Sequence, residues 1–128
     1  MKVYIAGRYS RRDEFREYAN LLIGHGYEVT SRWLLENEPL NSNMGDHSDE
    51  FYVHTAKIDL EDVDRADAVL FFSEDPKIGI PRGGRHVEFG YALGKGKKIL
   101  VFGPRENVFH YIDGVAHYNT IQDFMYGE

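Results

Sequence analysis

A chain of 128 residues is long enough for one ordinary domain and too short for two. Its 42% hydrophobic residues, with nine Tyr, eight Phe and one Trp, supply a real core and exclude a disordered chain. Fifteen Lys and Arg against 21 Asp and Glu exclude a general binder of nucleic acid backbones, though not one small anion held by a few arginines.

There is no Cys, so neither a disulfide framework nor thiolate chemistry is available, and the cytoplasm is the expected location. The apolar run at Val3–Ala6 is too short for a signal peptide or a membrane span.

In chain order, Val3 to Ala6 reads as a buried strand ended by Gly7. Ser10 followed by Asp13 has the spacing of a capping box, and Phe15, Ala19 and Leu22 then recur at helical intervals until Gly24 and Gly26. Tyr27 to Thr30 is a second strand. Residues 36–49 are polar and read as a long loop of the kind that forms lids or binding loops. A helix is predicted over about 50–65, with an apolar face through Tyr52, Ala56 and Leu60 or Val63. Ala68 to Phe72 is the clearest buried strand. A loop over 73–84, a helix over about 85–93 and a strand over Lys98–Phe102 follow. The remainder carries scattered apolar residues and a terminal helix near Ile121 to Tyr126.

Alternation of apolar strands with helices predicts a single α/β domain over 1–128. Its sheet is open, mostly parallel and five-stranded, with helices on both faces, in the Rossmann or flavodoxin-like manner. Ligands of such sheets sit outside the strand carboxyl ends. Three loops meet there: Gly7–Ser10, Ser73–Gly84 and Gly103–Asn107, which makes Gly7, Arg8, Tyr9, Ser10 and Asn107 candidate ligand contacts.

The segment Arg82-Gly83-Gly84-Arg85-His86-Val87-Glu88-Phe89-Gly90 is the most informative. Paired glycines allow close backbone approach, and a helix start offers N–H groups to an anion. The dipole of that helix favours an ionised Glu88, suited to nucleophilic attack. On pattern alone, a plain loop with a solvated acid reads equally well, and Arg82 and Arg85 read as surface cations or as phosphate ligands. Gly90 and Gly94 make a flat face for packing on the sheet or on a second subunit. Asp59 lies in a charge run that reads as a solvated helix face. Trp33 packs in the core or stacks on a ring-shaped ligand. The six His show no metal-ligand spacing.

Together these segments resemble the nucleoside 2-deoxyribosyltransferase superfamily, which includes 5′-monophosphate N-glycosidases. Three stretches carry the resemblance: Val3-Tyr4-Ile5-Ala6-Gly7; Ile58-Asp59-Leu60 with Ala66-Asp67-Ala68-Val69; and Gly83 through Lys97 around Glu88. The resemblance implies that Glu88 attacks the anomeric carbon of a deoxyriboside, that Tyr4 orients it, and that Asp59 contacts the base and manages its proton. It implies no metal or organic cofactor, a small nucleoside or nucleotide as ligand, no nucleic acid polymer or membrane as partner, and at least a homodimer. Where nucleoside transferases carry acidic residues before the glutamate, this chain has Arg82, Gly83, Gly84 and Arg85, which suit a 5′-phosphate. A nucleotide-sensing module without turnover is the alternative from another class.

Overall fold

Phe71 and Phe72 are neighbours in the chain and face opposite sides of the sheet, as the two-residue period of a strand requires. In the computed structural model, which describes residues 1–36, 44–75, 77 and 83–127, Phe72 packs on Phe15, Tyr18 and Phe102. Phe71 packs on Phe89 and His110 instead. These two aromatic clusters are the two halves of the core.

The described residues form one sheet of five strands: β1 (Lys2–Ala6), β2 (Glu28–Val29), β3 (Ala68–Phe72), β4 (Lys98–Phe102) and β5 (Val115–Tyr118). Their order is β2-β1-β3-β4-β5 and every pairing is parallel. Helix α1 (Arg12–Gly24) buries Phe15, Ala19 and Leu22, and α4 (Ile121–Tyr126) sets Phe124 against Phe102 and Tyr118 on the same face. Helix α3 (Gly84–Gly94) covers the other face through Phe89 and Ala92, with α2 (Asp49–Arg65) beside it. The right-handed rule for parallel crossovers produces this division, because the chain moves one way across the sheet from β1 and the other way from β2.

Several local expectations change. Ser10 does not cap α1: a 3₁₀ turn over Tyr9–Arg11 intervenes, Arg11 occupies the cap position without a side-chain cap bond, and Ser10 is exposed. The extra turn shifts the helix start past the point where Ser10 could reach it. Helix α2 is capped by Ser48, whose Oγ accepts from the Phe51 N–H at 3.2 Å. On α2, Val63 is buried, but Ala56 is exposed and Tyr52 and Leu60 are half-buried, so the expected apolar face is only partly covered. Gly90 and Gly94 do not pack on the sheet. Both are exposed, and a Cβ there would meet nothing within 4 Å among the described residues, because α3 turns Phe89 and Ala92 inward.

Gly7 is tightly constrained. A Cβ there would lie 2.4 and 2.5 Å from two ring carbons of the fully buried Phe15. Gly7→Ala is therefore expected to destabilise the fold by about 1–3 kcal/mol, the usual range for overpacking. Thermal denaturation reads this directly, and an unchanged melting curve would contradict it.

Candidate functional site

The chain leaves β1 towards one face of the sheet and returns to β3 from the other, which opens a crevice at the carboxyl ends of these adjacent strands. Tyr4, in the middle of β1, is fully buried and points to the face covered by α3. There its phenol donates a hydrogen bond to Oε2 of Glu88. Asp59 reaches the same region from α2, and its Oδ1 is buried with no hydrogen-bond partner among the described residues.

Burial governs the protonation of all three. It raises the Tyr4 phenol well above its ordinary value, and the charges of Glu88 and Asp59 add to the rise. Glu88 is pushed up to about 8, by burial first; the Tyr4 hydrogen bond opposes this, and the charges of Asp59 and Asp62 reinforce it. Asp59 is pushed up to about 7 by burial, then by Glu36 and Asp62, with Arg32 opposing. The helix dipole does not hold Glu88 ionised as expected. Glu88 is the fifth residue of α3, and its carboxyl is desolvated under β1 rather than set at the exposed helix end.

A further acid of α2, three residues after Asp59, takes a different part. Asp62 is fully buried and accepts from the backbone N–H of Arg32 at 2.9 Å, from Arg32 Nε at 2.8 Å and from Arg65 Nη2 at 2.7 Å. It anchors a 3₁₀ turn over Arg32–Leu35 to α2. Arg16 of α1 holds the other end of that turn, donating to the carbonyls of Leu34 and Glu36. Asp62 and Glu36 thus join the site's electrostatics without having stood out in the sequence. Asp62 sits in a charge run that reads as a solvated face.

The expected ligand contacts fall into distinct groups. Trp33 is only 7% exposed, its indole N–H donates to the Ile5 carbonyl at 2.9 Å, and its ring packs near Tyr9 and Phe15, so it is a core residue rather than an open stacking platform. Tyr9 accepts from Arg12 through its hydroxyl. Arg8 lies 3.9 Å from Glu74, while Arg11 bonds both Glu14 and Glu74. Gly83 holds a left-handed φ of 88° just before α3, and Gly84 is open to solvent. Arg85 is no surface cation: its side chain is 2% exposed and paired with Glu106. Asn107 uses Oδ1 to accept from the Phe109 N–H and cap a short turn. Arg82 lies outside the described residues. Among the described residues no group of three or more His, Asp or Glu could hold a metal ion, and no helix is long and apolar enough to cross a membrane.

No family model and no curated protein matches this chain. Solved structures do. A 2-deoxyribosyltransferase of the psychrotolerant bacterium Bacillus psychrosaccharolyticus superposes with a TM-score of 0.76 at 20% identity, covering 100% of this chain and 93% of its own. The chain has the 2-deoxyribosyltransferase fold. A CMP N-glycosidase of Clostridium botulinum follows with a TM-score of 0.60 at 19% identity, covering 98% and 95% of the two chains. A 2-deoxyribosyltransferase of Leishmania mexicana gives 0.58 at 20% identity, with coverage of 92% and 78%. On this shared fold, β1 and β3 flank the switch point where open α/β sheets bind ligands.

Proposed function

We propose that the protein cleaves or transfers at the N-glycosidic bond of 2′-deoxyribonucleosides or their 5′-monophosphates through a covalent glycosyl ester on Glu88. The contact of the Tyr4 phenol with the partly buried Glu88 carboxyl, with Asp59 beside it, carries the reading. A module that only senses nucleotides has no need of a desolvated carboxyl beneath the ligand.

In the first step the Glu88 carboxylate forms a bond to C1′ as the C1′–N bond breaks, and the leaving base takes that electron pair and a proton from Asp59. In the second, another base or water forms a bond to C1′ as the C1′–O bond to Glu88 breaks, and the proton that the incoming group loses returns to Asp59. The transition state carries positive charge on the sugar, which a nearby anion stabilises. With values of about 8 and about 7, the two carboxyls form a coupled pair, and the productive form, Asp59 protonated and Glu88 charged, is the minor of its two singly protonated arrangements before substrate binds.

The 5′ end of the substrate follows from the cations. Arg85 is committed to Glu106, Arg11 to Glu14 and Glu74, and Arg8 faces Glu74, so these three arginines are already matched by acids, while Arg105 lies over the Tyr111 ring. This favours free deoxynucleosides. Hydrolysis of 5′-monophosphates is the second reading, and it rests on Arg82. A homo-oligomer of this chain in the cytoplasm accompanies both readings, supported by Val53 (70% exposed), Val87 (62% exposed) and the open Gly90–Gly94 face on α2 and α3.

Base release from a panel of deoxynucleosides and their monophosphates tests this. Wild type is expected to favour the free nucleosides, and Arg85→Ala to leave the ratio of kcat/KM values, monophosphate over nucleoside, unchanged. A preference for monophosphates that collapses ten- to a hundred-fold (about 1.5–3 kcal/mol) in Arg82→Ala would establish the phosphate reading instead. No base released from any of them would refute both.

A further inference from the structure

The strand ends hold a second cluster of buried charge, apart from Tyr4, Asp59 and Glu88. Its centre is Glu106, in the segment after β4. Glu106 Oε1 accepts from Nη2 of Arg85, and Oε2 accepts from the Glu74 N–H at 3.1 Å. The N–H of Glu106 donates to Nδ1 of the buried His110 at 3.0 Å, and His86 Nε2 lies 3.8 Å from the carboxylate. The Arg85 side chain is 2% exposed and that of Glu106 10%. One carboxylate therefore ties together the segment after β3, the start of α3 and the segment after β4. Through Glu74, which holds Arg11 at 2.6 Å, the loop after β1 joins the same network.

Helix α3 has little else at its start. Its cap residue is Gly83, which offers no side chain, and its first turn has no acidic residue. Arg85 stands three residues before Glu88, one helical turn away, and its guanidinium lies over the Phe71 ring at 5.7 Å. A helix moves as a rigid rod over so short a span, so whatever fixes Arg85 also fixes the height and rotation of Glu88.

We infer that Glu106 is a positioning residue: through its buried bond to Arg85 it sets the first turn of α3, and so places the Glu88 carboxyl against the Tyr4 phenol. The inference rests on the reading of Glu88 as nucleophile, and displacements of about 1 Å in such a group can cost about a hundred-fold in rate.

Glu106→Gln alone strands a buried cation and is expected to lower the melting temperature. The deciding variant removes both charges, Arg85→Met with Glu106→Gln. It is expected to melt near wild type and to lose about ten- to a hundred-fold in kcat, with KM within about twofold and the same loss on nucleoside and monophosphate. The titration midpoint of the Glu88 carboxyl, read by carbon NMR and assigned against Glu88→Gln, is expected to fall from about 8 towards the ordinary 4.5 as the side chain leaves its buried place. A folded double variant with wild-type kcat and wild-type midpoint would overturn the inference. So would a rise in KM confined to monophosphates, which would make Arg85 a phosphate ligand. Should the double variant not fold, Arg85→Lys keeps the charges while losing the planar fork, and an unchanged kcat and midpoint there overturn the inference equally. If wild type releases no base at all, the glycosyl reading falls by itself. The NMR midpoint then still decides whether Glu106 steers Glu88.

Discussion

Glu88→Ala and Glu88→Gln are expected to abolish base release, a loss of at least about a thousand-fold, because among the described residues no other carboxyl is hydrogen-bonded to Tyr4 to form the proposed glycosyl ester. Both variants are expected to fold, and Glu88→Gln to show a pH signature that no surface acid would give. The folded protein holds the Glu88 proton up to about 8, against 4.5 when the side chain is free in water. Between those values the folded state binds more protons than the unfolded state. The stability this contributes is present at low pH and is lost as pH rises towards 8. Glutamine stays neutral throughout, so the variant gains on wild type between pH 5 and pH 9, by an amount on the order of a few kcal/mol. Melting curves at the two ends of this range measure it. A melting difference that is flat with pH would mean that Glu88 is not desolvated. Wild-type turnover in Glu88→Ala, or a sugar adduct trapped on another residue, would remove the covalent mechanism.

Asp59→Asn is expected to cost about 10²- to 10⁴-fold in kcat, the usual contribution of a positioned general acid. In wild type the productive form needs one proton shared out as Asp59-H and Glu88 anion. The pH profile of kcat/KM is accordingly expected to be a bell with apparent values near 7 and 8, each limb belonging to the pair. Asparagine cannot give up its place to an anion or supply a proton. One limb then disappears, and activity rises with Glu88 ionisation to a plateau. The loss shrinks for a deoxyriboside whose leaving group departs without a proton. An equal loss on activated and ordinary leaving groups would make Asp59 a binding residue rather than an acid.

Much of this molecule is legible in its sequence, because much of it is set by periods of a few residues. The apolar runs Ala68–Phe72 and Lys98–Phe102 are strands with those bounds, and the helices lie within a residue or two of where their spacing puts them. Strand β5 escaped placement. Val115-Ala116-His117-Tyr118 is a short edge strand whose residues are all half-buried, so it shows neither a continuous apolar run nor a clean alternation. Handed crossovers allow more than one order of such strands, and only the structure selects β2-β1-β3-β4-β5, with its switch between β1 and β3.

The state of the site is another matter. By itself the sequence determined that Glu88 lies on a helix behind two glycines and that Tyr4 lies in the first strand, 84 residues away in the chain. It suggested an ionised Glu88 at a helix start, a solvated run around Asp59 and two exposed arginines. Only the tertiary structure decided that Glu88 and Asp59 are desolvated, that Asp62 is a buried anchor for Arg32 and Arg65, and that Arg85 is matched by Glu106. The physical reason is that a charge is defined by what surrounds it. Helical and strand periods report which side of an element a residue takes. Proton affinity and ion pairing depend on solvent exclusion and on partners from distant segments, and no local pattern encodes either.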